Sequence, residues 1–167
     1  ALVISGNLVV RWASLPIPPG VIINGVVLSP GGLATVMRQL LKKVEAGRSR
    51  PLVSLGGLHP LVRTLTMPRL KRSLTAEAVQ REMQRELPSP IGHYNISWQP
   101  LKSSKTETTV YALAVPNVEL EGYMAAFKQA QVKPKSISLE ALVVASALES
   151  NDAIVIGLNE EPGSKTP

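Results

Sequence analysis

The sequence predicts a mixed α/β chain, and three observations carry the prediction. Leu33, Val36, Met37, Leu40, Leu41 and Val44 fall at i, i+3, i+4, i+7, i+8 and i+11, the apolar stripe of an amphipathic helix. Tyr94, Ile96 and Trp98 alternate with Asn95, Ser97 and Gln99, the period of a sheet that is wet on one side. Strand-like and helix-like runs are interleaved in the order strands, helix, strands, helix, hairpin, helix, strand, helix, strand, which is not a repeat pattern. With 167 residues, 44% of them hydrophobic and 18% charged, the chain can bury a core and suits one large or two small domains.

Residues 1–4 and 8–12 read as strands joined by Ser5-Gly6-Asn7, good hairpin chemistry because Gly and Asn accept positive φ. Leu15-Pro16-Ile17-Pro18-Pro19-Gly20 lacks the donors for a sheet and reads as an extended connection. Residues 21–28, broken by Asn24-Gly25, read as short strands. Ser29 is a natural N-cap and Pro30 suits the first helical position, so the first helix begins there. Lys42 and Lys43 complement its dipole, and Gly47 is the expected stop.

Residues 51–55 read as a strand ending at Gly56-Gly57, and residues 61–67 as another, closed by Pro68. Thr75 is the expected cap of a second helix running to Glu86, with Ala78, Val79 and Met83 on its apolar side and Glu77–Arg81 as an i,i+4 pair. Pro88 and Pro90 end it. After the alternating strand at Tyr94, Lys102-Ser103-Ser104-Lys105 reads as a polar turn into residues 108–115, which are β-rich on both faces and therefore central in a sheet. Asn117 is the expected cap of a third helix with Leu120, Tyr123, Met124 and Phe127 on one face. A short strand at 136–139, a helix at 140–149 and an apolar strand at 153–158 follow, and 160–167 reads as a frayed tail.

Composition excludes several classes of function. The absence of cysteine rules out disulfides and cysteine-based metal or nucleophile chemistry, and fits a reducing compartment. No run of eighteen apolar residues is present, and residues 1–6 lack the features of a signal peptide. The opening Ala1 leads us to expect a piece of a longer protein. His59 and His93 stand alone without metal-ligand spacing, Asp152 is the only aspartate, and neither a nucleophile elbow nor a Walker loop occurs. Gly31-Gly32 at a helix start has anion-binding potential, but easing the turn is the simpler role. Six aromatics, mostly on apolar faces, give no base-stacking platform, so no nucleic-acid partner is expected. No metal and no cofactor are expected.

The net charge of +6 is unevenly distributed. Residues 1–85 carry 12 Lys/Arg against 3 acids, whereas residues 86–167 carry 6 against 9. The densest basic cluster is Arg69, Lys71 and Arg72, which flank Leu70 just after Pro68. Its functional reading is docking to acidic protein or lipid head groups, and its structural reading is a solvated loop before a helix.

The order of motifs resembles a known family. Leu15-Pro16 through Gly20-Val21-Ile22-Ile23-Asn24-Gly25, then a capped helix ending in Leu40-Leu41-Lys42-Lys43, resembles the N-terminal region of the PilM family, actin-like cytoplasmic proteins of type IV pilus assembly. The resemblance continues through Leu55-Gly56-Gly57, Thr66-Met67-Pro68-Arg69-Leu70, Glu82, and Leu87-Pro88-Ser89-Pro90. Residues 110–116, 123–134 and Ser138-Leu139-Glu140-Ala141 extend it over most of the chain.

That resemblance implies an actin-like (ribonuclease H-like) fold related also to the division protein FtsA. Residues 1–57 and 137–167 would form an incomplete subdomain 1A, and 58–136 an inserted 1C-type small α+β subdomain. Strands at 8–12, 51–55 and 153–158 would then share one sheet. The fold alternative is a single ferredoxin-like sandwich with appendages. The implied function is a non-catalytic cytoplasmic scaffold, peripheral to the inner membrane, in a type IV pilus or type II secretion-like platform. Its partner would be the cytoplasmic tail of a PilN-like single-span protein, held between 1A and 1C; separately, the basic excess of residues 1–85 would favour approach to an anionic membrane surface. The alternative function is a fragment of an actin-like ATPase.

Departures from the family pattern favour the scaffold. The first phosphate loop would precede Ala1, and the second half that completes a nucleotide site is not in the sequence. Where the second phosphate motif carries a carboxylate, the run Ile154-Val155-Ile156-Gly157 offers Val155, which cannot ligate Mg²⁺, so Val155 and Gly157 mark a degenerate phosphate loop. Gln131 replaces a helix-ending glycine of the family.

Overall fold

Pro-rich residues 13–20 separate an N-terminal hairpin from the rest of the chain in the computed structural model, which describes residues 1–5, 8–47, 49–140 and 142. The hairpin pairs β1 (Leu2–Ser5) with β2 (Leu8–Trp12), as the sequence predicts. A second, tighter hairpin pairs β3 (Ile22–Ile23) with β4 (Val26–Val27), and both residues of its turn, Asn24 and Gly25, take positive φ. This is the turn geometry that Asn-Gly favours between strands.

Helix α1 (Pro30–Lys43) starts where Ser29 and Pro30 predict, and the Ser29 hydroxyl accepts from the Gly32 amide at 3.3 Å. It ends earlier than Gly47. Glu45 takes the left-handed conformation at φ 52°, its N–H donates to the Lys42 carbonyl, and the Ala46 N–H donates to the Leu41 carbonyl. The helix is thus closed by a Schellman-type reversal before Gly47 is reached.

Strand β5 (Leu52–Leu55) pairs in parallel with β9 (Ser136–Leu139). Between them in the chain lie β6 (Leu61–Pro68), helix α2 (Arg72–Gln84), β7 (Tyr94–Ser103), β8 (Glu107–Pro116) and helix α3 (Asn117–Ala130). β8 is central in an antiparallel sheet of order β6-β8-β7, as its apolar content on both faces predicts. Among the described residues the hairpin strand β2 shares no sheet with β5; the third strand of the expected sheet, 153–158, lies outside them. Among the described residues β1 and β2 pair only with each other, and β5 takes β9 as its neighbour. The expected helix at 140–149 and strand at 153–158 lie outside the described residues, apart from Glu140 and Leu142 at the helix start.

Apolar side chains form separate clusters around the two groups of elements. Val21, Val27, Leu33, Leu55, Tyr123, Ala126 and Phe127 bring β4, α1, β5 and α3 together. Met67, Val79, Met83, Leu87, Val110, Ala112 and Ala114 bury α2 against β6 and β8. Helix α3, which the family resemblance would place in the 58–136 insertion, therefore buries its apolar face with α1.

The helix starts differ from the sequence reading in an instructive way. α2 begins at Arg72, not after Thr75, because Pro68 leaves only a short loop. Thr75 is buried inside the first turn, and its hydroxyl bonds back to the Lys71 carbonyl at 3.1 Å. Glu77 and Arg81 do not pair, and Glu82 bonds Arg85 at 2.9 Å instead. Asn117 is the first residue of α3 and not its cap, and its side-chain amide donates to the Gly92 carbonyl at 2.9 Å.

α3 ends on Gln131, which holds φ at 57° while its N–H and that of Val132 bond the Lys128 and Phe127 carbonyls. A residue with a Cβ is strained there, by roughly 1–2 kcal/mol. Gln131→Gly is therefore expected to stabilise the chain by about 1 kcal/mol, raising the melting temperature by about 2–4 °C in a calorimetric scan.

Candidate functional site

Strand β8 has two faces with different fates. Val110, Ala112 and Ala114 are fully buried under α2. The alternate residues Tyr111 and Leu113, with Val115, point to the other side and floor a groove of about 800 Å³. Leu120, Glu121 and Met124 of α3 form one wall, and all four residues of β9 line it as well. Successive strand residues face opposite sides, so four consecutive lining residues mean that β9 meets the groove edge-on. Among the described residues β9 pairs with β5 alone, which leaves the main chain along its second edge without a strand partner.

The groove is mostly apolar at its floor and neutral-polar at its rim. Asn95, Ser97 and Gln99, the wet side of β7 that the alternation in the sequence predicts, supply amides and a hydroxyl. Glu121 is the one charged residue among the described residues that line it. Met124, expected in the core with Tyr123 and Phe127, is instead 51% exposed and overhangs the groove. The helical stripe is narrower than its apolar content, because Ala126 and Ala130 complete the buried face in its place.

Several residues near the groove escaped the sequence reading. Glu119 is buried, accepts the His59 backbone N–H at 2.9 Å and lies 3.5 Å from His59 Nδ1. The pair spans sixty residues of sequence, so spacing gives no signal for it. His93 lines a shallower hollow that shares Asn117 and Glu121 with the groove. No group of three or more His, Asp or Glu able to hold a metal ion occurs among the described residues.

Burial, and secondarily the charge of Glu119, push the Tyr123 phenol above its usual pKa of 10.0. Burial alone pushes Tyr111 the same way. A raised phenol pKa favours the neutral form in the folded state. Its contribution to stability is complete below the unfolded value and is lost as pH rises through the folded one. Melting temperature should accordingly fall as pH climbs above about 10, and Tyr123→Phe should flatten part of that fall.

The other site residues of the sequence reading lie elsewhere. Arg69, Lys71 and Arg72 are exposed at the start of α2, outside the groove. The Arg69 guanidinium donates to the Ser104 carbonyl at 3.2 Å, and that of Arg72 lies 5.6 Å from the centre of the Trp98 ring. At the start of α1 the Gly32 amide is taken by Ser29, and a Cβ on Gly32 would stand 3.0 Å from Val21, so this glycine serves packing. Val155 and Gly157 lie outside the described residues. No helix among the described residues is long and apolar enough to cross a membrane.

Neither a family model nor a curated protein sequence matches the chain. Among solved structures it is similar to a chain of the PilM-PilN type IV pilus biogenesis complex, with a TM-score of 0.74 and 26% identity over 82% of its length. The match covers 42% of that solved chain, so the present chain spans less than half of its length. The fold is PilM-like.

Proposed function

We propose that the chain is the peptide-docking part of a non-catalytic scaffold on the cytoplasmic side of a pilus or related secretion platform. In this reading the groove between β8, α3 and β9 receives the cytoplasmic tail of a PilN-like single-span membrane protein. The observation that supports it is the combination of a β9 edge that has no strand partner among the described residues with an apolar floor at Tyr111 and Leu113. An extended peptide added to such an edge gains main-chain hydrogen bonds, and its alternate side chains fill the floor. The near-neutral lining selects a largely apolar tail, and Glu121 gives a place for one basic residue.

The architecture behind this reading is an incomplete actin-like subdomain 1A, holding β5, β9 and α1, with an inserted 1C-type unit of β6, α2, β7 and β8. We place the end of that insertion at Pro116 and not at 136, because α3 shares its buried face with α1. The groove then lies where the two units meet.

An enzyme reading, as part of an actin-like ATPase, makes a different prediction. A site with a dissociation constant near 10 µM would add roughly 2.7 kcal/mol to stability at 1 mM ATP. With Val155 at the carboxylate position, the scaffold reading predicts no saturable, Mg²⁺-dependent thermal shift with ATP and a clear shift with the tail peptide. An ATP shift abolished by chelating Mg²⁺, without one from the peptide, would favour the ATPase.

A further inference from the structure

The basic cluster after Pro68 is half of a larger surface that only the fold assembles. The Arg69 N–H donates to the Thr106 carbonyl at 2.8 Å and its guanidinium to Ser104, while Pro68 pairs with Glu107 across the sheet. These contacts place the 69–72 segment against the β7–β8 turn, with Lys102 near the end of β7 and Lys105 in the turn itself. Five cations, Arg69, Lys71, Arg72, Lys102 and Lys105, thus share one end of the three-stranded sheet, with the acid Glu107 at the start of β8. All five are exposed, and none lies within ion-pair distance of a carboxylate among the described residues.

Apolar side chains are interleaved with the charges. Leu70, between Arg69 and Lys71, is 40% exposed; Leu74, in the first turn of α2, is 46% exposed; Leu101, beside Lys102, is 55% exposed. A surface that binds a soluble polyanion needs the cations alone. Leucines set among cations at one tip have the chemistry of an interfacial contact, in which the charges meet anionic head groups and the aliphatic chains enter the head-group boundary.

We propose that this tip of the small sheet docks on an anionic lipid surface. Each well-placed cation raises partitioning about fivefold, so the cluster acts through its number, and the attraction weakens as salt screens it. The contact is independent of the groove, and its outcome leaves the peptide-docking reading unchanged.

Co-sedimentation of the full chain with vesicles of phosphatidylcholine alone, or of phosphatidylcholine mixed with phosphatidylglycerol, tests the proposal. Binding should require phosphatidylglycerol and should be released by high salt. Lys71→Gln, Lys102→Gln and Lys105→Gln should each lower partitioning about fivefold. Arg69 and Arg72 stay in place because they hold the turn and Trp98, and an unchanged melting temperature checks that the lysine variants fold. A Leu70→Gln/Leu101→Gln variant should bind vesicles more weakly while binding the soluble polyanion heparin as the parent does. Equal binding to neutral vesicles, or lysine variants that bind undiminished, would overturn the proposal. So would leucine variants with undiminished vesicle binding, which would assign the tip to an acidic macromolecule.

Discussion

Replacing Gly25 by alanine is expected to lower the melting temperature by about 6–12 °C, equivalent to a loss of about 3 kcal/mol. Two independent effects add. Gly25 holds φ at 76°, where a Cβ alone introduces roughly 1–2 kcal/mol of strain. A Cβ at this position would also overlap the carbonyl group of Gly57, which is backbone and cannot rotate away. Overpacking of this kind typically adds ~1–3 kcal/mol. The β3–β4 turn thus packs backbone to backbone against the end of β5, and the substitution should separate them. A control at Gly20, which also has positive φ but open space around it, should show the strain without the overlap and a smaller drop. Equal losses at the two positions would mean that the close approach is unimportant.

The second large effect concerns binding. Leu113→Arg puts a charged side chain on the groove floor, and Met124→Arg puts one on its α3 wall. Each is expected to weaken binding of a PilN-like tail peptide by roughly 30- to 1,000-fold, the effect of removing an anchor from a desolvated pocket. Met124 is already half exposed, so its variant should keep the parent melting temperature and separates lost binding from lost folding. Isothermal titration of both variants checks the prediction, and parent-like affinity in both would remove the groove from the binding site.

Much of this architecture is legible where local chemistry decides it. Ser29, Pro30 and the stripe from Leu33 to Val44 specify α1 within one stretch of chain, and the alternation at Tyr94 specifies β7 and its wet side. Caps were less legible. Thr75 and Asn117 have side chains suited to an N-cap, yet Thr75 bonds back to Lys71 within the turn and Asn117 reaches across to Gly92. Which bond such a residue makes depends on where the preceding strand ends, and that is a tertiary fact. The groove was hidden for a related reason. An apolar residue such as Leu113 reads alike whether it is covered by a helix or floors a cleft, and β8 was therefore legible as central but not as half open. The tip that joins Arg69 to Lys105 needed the strand register, which brings together segments thirty residues apart.

The cleft between β8, α3 and β9 is proposed to receive an extended peptide. Amide chemical-shift mapping of the full chain during titration with the tail peptide addresses it most directly. Docking there should give saturable shifts at Ser97, Leu113, Met124 and along Ser136–Leu139, with the amides of β9 gaining protection from exchange and those near Lys105 unmoved. Shifts confined to the sheet tip or the N-terminal hairpin, or none at saturating peptide, would contradict it.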